Sequence, residues 1–565
     1  MTSEAERAFA ASWWLVDDLV RFGMEHACLS PGSRSTPIAL ALWRHPSVRV
    51  HVHLDERAAA FFALGVAKAT GSPVAVACTS GTAAAELLPA VVEASMSRAT
   101  LFLLTADRPP ELRGVGANQT IVQPGLYGEY VRTTIDAPVP GDAPEEDTWH
   151  ALMLEATRAA MGPPPGPVHL NLPFREPLVP GLVSLPASPP SGTEHAIVVS
   201  AEPEDVEALR RDLASTSHGV ILAGSMRESP PTLPELSGRV AWPLLAEPTS
   251  NMRVPGTMSA GQFLLADERF AASHVPEVVL QFGAAPTSRA GLEFVRRAGR
   301  LVIVDQDHLV ADPHRRASLT LRAEAAVVVS EALEELEPRD ETPWLRAWID
   351  ADTTARTSVD GLMDRWEEPF EGRVARDLPA AIPDGGTLAV GSSMPIRDLD
   401  HYMVPRGGLR VLANRGASGI DGFVSTVLGV AAAGPPTYAL CGDLMLLHDA
   451  GSLLWSAKRG YDAVFVVPNN DGGGVFSFLA QRDLPEFKDL FATPHGLDLA
   501  KLCETAGAGH TQVERAGDLI PAVEGAAGAG GVHVVEVPSD RERNVARHAE
   551  VTAMVAEALR GCERR

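Results

Sequence analysis

Uninterrupted apolar stretches, each ending in a small or polar turn and followed by a helix-like stretch, constrain this chain more than any other feature. "VRVHVHL" leads to "ERAAAFFALGVAKATG", and "PVAVACTSG" to "TAAAELLPAVVEASMS"; "ATLFLLTADRP" and "GPVHLNLPF" continue the series. A strand that is apolar on both faces is buried on both faces, which calls for a parallel sheet covered by helices. The alternation returns in "HGVILAG", "EVVLQFGA" and "RLVIVDQD", and again in "GTLAVGSS", "LRVLANRG", "PTYALCGDL", "DAVFVVPNN" and "VHVVEVPSD". The expected fold class is therefore α/β, with three serial α/β domains at 1–180, 194–340 and 370–565. The proline- and glycine-rich residues 177–193 read as a linker. The charged, helix-rich residues 338–368 read as a second connector.

A length of 565 residues with 45 % hydrophobic residues permits several buried cores. The formal charge of −24 argues against nucleic acid and anionic membrane surfaces as partners. It does not exclude an anionic small substrate, because a few arginines in a cleft outweigh carboxylates beyond the screening length of about 8 Å. The five cysteines form no C-x-x-C pair and read as buried, reduced thiols of a cytoplasmic protein. No apolar run reaches the roughly 18 residues of a membrane span, and the N-terminus carries acids where a signal peptide carries bases.

Two motifs carry chemistry. In "CGDLMLLHDAGSLLWSAKRGYDAVFVVPNNDGGGVFSF" one strand ends at Asp443 and the next near Asn470, 27 positions later. Parallel strand ends emerge on one sheet edge, where ligands bind. A carboxylate, an amide and backbone carbonyls there are hard oxygen ligands suited to Mg²⁺. Gly472, Gly473 and Gly474 allow backbone to approach a phosphate. On spacing alone, two unrelated turns remain the alternative reading. In "LSPGSRSTPIALAL" a guanidinium and several hydroxyls sit in a tight turn between two apolar segments. That suits an anion better than a plain connection would.

The Gly-Asp-x…Asn-Asn string resembles the motif of thiamine-diphosphate-dependent enzymes. In that family the Asp, the second Asn and a nearby carbonyl hold Mg²⁺ against the diphosphate. The resemblance assigns these metal roles to Asp443, Asn470 and Gly472, with Mn²⁺ as an alternative ion. It departs from the pattern at Leu444, where the family has Gly. The same resemblance requires a glutamate early in the chain to share a proton with the aminopyrimidine ring, and "HLDERAAAFF" supplies Glu56 just after a strand. Burial in an apolar pocket would raise its pKa toward neutrality. A helix-opening glutamate that merely favours the dipole is the alternative.

"SPGSRSTP", "TADRPPELRGVGANQTIVQ", "GSSMPIRDLD" and "NRGASGIDG" narrow the resemblance to the 2-succinyl-5-enolpyruvyl-6-hydroxy-3-cyclohexene-1-carboxylate synthases of menaquinone biosynthesis. This resemblance implies a transferase, a carboligase that decarboxylates 2-oxoglutarate. It then adds the resulting succinyl-semialdehyde carbanion equivalent to isochorismate. It also implies a pyrimidine-binding first domain, a diphosphate-binding third domain, and a site shared between subunits of a homodimer or a dimer of dimers. Two dianionic substrates demand fixed cations, and guanidinium clamps carboxylates in pairs of bonds. The matching positions are Ser33, Arg34, Arg108, Asn118, Gln119, Arg289, Ser393, Arg397 and Arg415. Ser393, Ile420, Leu444, Gly473, Val475 and Phe476 are assigned to the cofactor, with Ile420 propping its bent shape.

Structural alternatives stand beside these roles. Arg108 also suits a strand-end cap, and Arg397 suits a surface pair with Asp398 or Asp400. Asn118 and Gln119 suit an ordinary turn, and His51 and His53 read as structural. Only Arg289 is basic in "APTSRAGLEF", where the family has a basic pair, so a contact between the middle domain and substrate is left open. Another thiamine-diphosphate 2-oxo-acid decarboxylase or acetolactate-type synthase, or a non-catalytic protein of the same fold, are the rival readings.

Overall fold

Seventeen strands lie in three sheets, and every pairing between them is parallel, in a computed structural model that describes residues 3–142, 145–181, 200–307, 312–456 and 459–562. The first sheet contains β1 (His26–Leu29), β2 (Arg49–Val52), β3 (Val74–Cys78), β4 (Leu101–Asp107), β5 (Thr134–Asp136) and β6 (Val168–Pro173), in the order β2-β1-β3-β4-β6-β5. The second contains β7 (Gly219–Ala223), β8 (Leu244–Ala246), β9 (Val278–Phe282), β10 (Arg300–Val304) and β11 (Ala317–Leu321), ordered β11-β10-β9-β7-β8. The third contains β12 (Gly386–Val390), β13 (Leu409–Ala413), β14 (Thr437–Leu440), β15 (Ala463–Asn469), β16 (Gly509–Gln512) and β17 (Val532–Pro538), ordered β13-β12-β14-β15-β17-β16. The first and third sheets thus share one topology.

That topology places the candidate sites. In the first sheet the strand order reverses between β1 and β3, and in the third between β12 and β14. Ligands of open parallel sheets bind at such switch points, beyond the carboxyl ends of the strands. Leu29 of β1 lies opposite Ala77 of β3, so the turns holding Ser33–Arg34 and Ser80–Gly81 leave the same edge. Val390 of β12 lies opposite Leu440 of β14, which brings Ser393 and Asp443 out together.

The helices that follow the second strand of each of these sheets pack directly on one another. They are Glu56–Thr70, buried from Ala58 to Ala67, and Phe423–Ala432, buried along almost its whole length. Asp55 caps the first through the Ala58 N–H at 3.1 Å, and Gly71 ends it in the left-handed region at φ 72°. A Cβ on Gly65 would sit 2.0 Å from the Thr426 carbonyl oxygen, and one on Gly429 would sit 2.1 Å from that of Phe62. The two glycines let the backbones touch where any side chain would force them apart.

The remaining elements correct the sequence reading in places. "TAAAELLPAVVEASMS" forms two helices, Thr82–Glu86 and Leu88–Ser97, because Pro89 cannot continue the first. The expected connector 338–368 holds a long helix, Pro343–Met363, whose Trp344, Trp348, Ala355, Val359 and Met363 enter a core shared by the second and third sheets. Of the expected linker, residues 182–193 lie outside the described residues. Cys28, Cys78, Cys441 and Cys503 are buried free thiols, as expected. No helix among the described residues is long and apolar enough to cross a membrane.

Buried polar bonds dock the middle sheet onto the third. Arg253 donates to the Asp400 carbonyl at 2.9 Å and to the Ser259 carbonyl at 3.1 Å. Glu247 accepts from the Thr287 hydroxyl at 3.0 Å and from the Thr287 N–H. Burial first, and the charge of Asp400 second, push the Glu247 carboxyl up to about 8.

Two outcomes are expected. Gly65→Val should lower stability by about 1–3 kcal/mol, seen as a fall in melting temperature, because the helices cannot separate without opening the core. Between its ordinary pKa and about 8, Glu247 binds a proton in the folded state that the unfolded chain has released. Stability should therefore fall as pH rises across that window and level off above it. In Glu247→Gln this component of the slope should be missing from melting temperatures measured between pH 5 and 9.

Candidate active site

At the third sheet's switch point, Gly442 is extended and places Asp443 at the start of the helix Asp443–His448. The Asp443 side chain is buried, and its Oδ1 accepts from the Leu444 N–H at 2.7 Å. Its Oδ2 accepts from the Gly472 N–H at 2.8 Å and faces His495 Nε2 at 3.2 Å. Burial raises its pKa, and these hydrogen bonds oppose the rise. Beyond β15, the Asn470 side-chain amide donates to Glu371 at 3.0 Å. Glu371 is buried and also accepts from the Ser539 hydroxyl at 2.7 Å. With its NH₂ committed to a carboxylate, Asn470 turns its Oδ1 the other way, and that oxygen is buried without a partner. An orphaned amide oxygen, a buried carboxylate and backbone carbonyls of the adjoining loop are hard oxygen donors of the kind that suits Mg²⁺. No group of three or more His, Cys, Asp and Glu that could hold a metal is found among the described residues.

The adjoining loop is shaped for close approach. Asp471 has φ 57° and accepts from the His495 and Gly496 N–H groups at 2.9 and 2.7 Å. Gly472 has φ 136°, and a Cβ there would meet the Ala492 carbonyl oxygen at 1.9 Å. A Cβ on Gly473 would meet that of Phe491 at 2.3 Å. Val475 and Phe476 follow in a 3₁₀ turn and are half-buried, as is Leu444. The Phe476 ring lies 5.6 Å from that of Phe491. Glu371 and His495 were not anticipated: each lies far in sequence from the residue it orients, in a segment without a local motif.

The first sheet's switch point gathers cations and amides around Ser80. Arg108 donates to the Ser80 hydroxyl, and Gln119, at φ 55°, donates to the Ser80 carbonyl at 2.8 Å. Burial, then the proximity of Arg34, lowers the pKa of Arg108. Arg34 itself is only 8 % exposed. Its Nη1 donates to the Phe174 carbonyl and its Nη2 to Glu176, both at 2.9 Å, while its Nε is buried without a partner. The guanidinium expected to hold a ligand carboxylate thus already holds one from its own chain. Ser33 and Asn118 are exposed beside this cluster in sequence. Gln123, missed in the sequence, pins the turn: it accepts from the Gly81 N–H at 2.9 Å and donates to Asn171 at 2.9 Å.

Glu56 opens its helix and is half-buried. Desolvation raises its pKa, its own backbone N–H opposes, and Asp55 and Glu86 raise it further. Among the described residues no hydrogen bond or ion pair joins Glu56 to Asp443 or Asn470. His51 lies between His26 at 3.0 Å and the Tyr461 hydroxyl at 2.9 Å. Burial lowers His51 and His53 to about 3 and about 4, which suits the structural reading.

Ser393, with φ 75°, begins the helix Met394–Tyr402, and Arg397 donates to the Ser393 carbonyl. Among the described residues no ion pair joins Arg397 to Asp398 or Asp400, although the charge of Asp398 acts on Arg397; Asp400 pairs with Arg253, and Asp398 faces His548 at 3.4 Å. Burial and the nearby Arg415 lower the pKa of Arg397, so two guanidiniums face one region. Ile420 packs against the core that contains Phe61 and Phe423. Arg289 is exposed at the start of the helix Arg289–Arg297. Its preceding turn is tied through Thr287 to Glu247, which feels the charge of Arg415.

Comparison with known proteins agrees with this geometry. Residues 10–126 match the family "Thiamine pyrophosphate enzyme, N-terminal TPP binding domain", and residues 398–537 its C-terminal TPP binding domain. A benzoylformate decarboxylase from Polynucleobacter necessarius superposes with a TM-score of 0.72, covering 94 % of this chain and 99 % of its own, at 16 % identity; this shows the shared fold. A 2-succinyl-5-enolpyruvyl-6-hydroxy-3-cyclohexene-1-carboxylate synthase of Thermobifida fusca is 45 % identical over 97 % of this chain and 98 % of its own. That of Chloroflexus aurantiacus is 42 % identical over 96 % of each, and that of Geobacillus kaustophilus 39 % identical over 99 % of this chain and all of its own. By end-to-end similarity of this degree, the chain belongs to the 2-succinyl-5-enolpyruvyl-6-hydroxy-3-cyclohexene-1-carboxylate synthase family of thiamine pyrophosphate enzymes.

Proposed function

We propose that this protein condenses 2-oxoglutarate with isochorismate to give 2-succinyl-5-enolpyruvyl-6-hydroxy-3-cyclohexene-1-carboxylate, a step of menaquinone biosynthesis, using thiamine diphosphate and Mg²⁺ or Mn²⁺. One CO₂ leaves, one carbon–carbon bond forms and one proton is taken up. The observation that carries this reading is the buried, unpartnered Asn470 Oδ1 beside Asp443 and a glycine loop at a sheet switch point. When bound, thiamine diphosphate supplies the nucleophilic carbon and electron sink that a 2-oxo acid needs to lose CO₂. Asp443, Asn470 and the Gly472 carbonyl would hold the metal, with Glu371 and His495 orienting the first two.

Glu56, with its raised pKa, would hold a proton against a pyrimidine nitrogen. Arg34, Arg108, Ser33, Asn118 and Gln119 would line one anion-binding pocket, and Arg289, Ser393, Arg397 and Arg415 the other. Ile420, Leu444, Val475 and Phe476 supply apolar wall. On the family resemblance, the working unit would be a homodimer, or a dimer of dimers, whose sites lie between the first domain of one subunit and the third of another. Exposed Leu54 and Leu88 near Glu56, and Leu454 and Leu479 on the other motif's side, are apolar surfaces that such pairing would cover. The domain limits 1–180, 194–340 and 370–565 fit one sheet each. Buried free thiols fit the reducing cytoplasm.

The decisive measurement is CO₂ release from 2-oxoglutarate with and without isochorismate. Release that yields no joined product with isochorismate would favour a simple decarboxylase, and no release at all would end the reading. Glu56→Gln should lower kcat by about 10²–10⁴-fold while cofactor binding persists, read by activity beside a cofactor titration. Asp443→Ala should weaken Mg²⁺-dependent cofactor binding by at least about 10–100-fold, read by calorimetry with and without the ion.

A further inference from the structure

The segment 414–420 carries Arg415 and Ile420, yet much of what holds it comes from the first sheet's helices. Glu93, on the helix Leu88–Ser97, is 3 % exposed. Its carboxylate accepts from the Gly416 N–H at 3.0 Å and from the Ala417 N–H at 2.7 Å. Lys68, in the last turn of the helix Glu56–Thr70, donates to Glu93 at 2.9 Å, to the Ala413 carbonyl at 2.9 Å and to Asn414 Oδ1 at 2.9 Å. Asn414 passes the chain on by donating to the Thr426 hydroxyl at 2.9 Å. Arg410 of β13 returns the contact by donating to the Lys68 carbonyl at 2.7 Å and to that of Ala69. Gly416 is what lets the carboxylate in: a Cβ there would lie 2.7 Å from the Met96 Cβ and 3.0 Å from Glu93 Oε2.

A buried carboxylate needs partners, and two backbone amides on consecutive residues fix both position and orientation of the peptide they belong to. Arg415 is the residue immediately before those two amides. We propose that Glu93 and Lys68 are positioning residues, which clamp the 414–417 backbone so that the Arg415 guanidinium is aimed at a substrate carboxylate. The inference rests on the reading of Arg415 given above. The clamp differs from a general fold contact in what it grips: it touches main chain on both sides of Arg415 and leaves the guanidinium itself alone. Displacement of a positioned group by about 1 Å costs on the order of 10²-fold in rate, so the clamp's effect belongs in catalysis more than in stability.

The test uses the full-length protein saturated with thiamine diphosphate and Mg²⁺, as wild type, Glu93→Gln, Arg415→Met and the double variant. Glu93→Gln keeps one oxygen for Lys68 and the Gly416 N–H but sets an amide NH₂ against the Ala417 N–H, and should lower kcat/KM for one of the two substrates by about 10–100-fold. The double variant should lose no more than Arg415→Met alone, cofactor affinity should stay at the wild-type value, and amide exchange at Gly416 and Ala417 should quicken. Losses that add, or a Glu93→Gln enzyme of wild-type kcat/KM, overturn the clamp while leaving Arg415 in place. A wild-type kcat/KM in Arg415→Met removes the reading of Arg415, and the clamp's purpose with it. If Glu93→Gln does not fold, the neutral pair Lys68→Gln/Glu93→Gln removes both buried charges together and is read by the same criteria.

Discussion

The direct contact of two helix backbones governs how this chain is assembled. Gly65 and Gly429 bring the Glu56–Thr70 and Phe423–Ala432 helices close enough that each carbonyl occupies the place of the other's missing side chain. The helices belong to the first and third sheets, which share a strand order. Their contact therefore fixes two switch points relative to each other. It also sets one end of the first helix against the segment that follows β13, where Lys68, Glu93 and Arg410 complete the junction. Without side chains between the helices there is little room for adjustment, and the polar bonds at the junction inherit that precision.

The two switch points offer opposite chemistries on equal frameworks. The third sheet presents a carboxylate and an amide oxygen, which suit a cation. The first presents guanidiniums and hydroxyls, which suit an anion. In the third the supporting groups, Glu371 and His495, orient the ligands from behind. In the first, Gln123 and Asn171 hold the turn around Ser80. A net charge of −24 is no obstacle to anionic substrates when cations are concentrated at one edge in this way.

Much of the fold was legible because central strands are apolar on both faces. The strands missed in the sequence are β1, β5, β8, β11 and β16; β1, inside its sheet, is only four residues long and opens on a histidine, and each of the other four lies at an edge. An edge strand is covered on fewer sides, so its residues need not be continuously apolar; β11 reads "ASLTL" and β16 "GHTQ". The helix Pro343–Met363 was mistaken for a mere connector because its charged face is dense, while Trp344 and Trp348 carry its burial. At the site, Asp443 and Asn470 were readable because short-range spacing encodes adjacent strand ends. Glu371, His495, Gln123 and Glu93 were not, because orienting residues are brought in by tertiary packing from unrelated segments. Arg34 was found for its residue type and its turn, but not for the partner it has.

That partner changes the physics of binding. Arg34 is neutralised by Glu176, whose side chain is 72 % exposed, while the guanidinium is nearly sealed. On the proposed reading, an incoming anion at this position would meet a pair that is already closed, and its capture would be an exchange of one carboxylate for another. Such an exchange gains little Coulomb energy and is nearly indifferent to ionic strength. Long-range attraction of a dianion would then fall to the guanidiniums without a carboxylate of their own, leaving Arg34 to discriminate by shape and geometry once the anion has arrived.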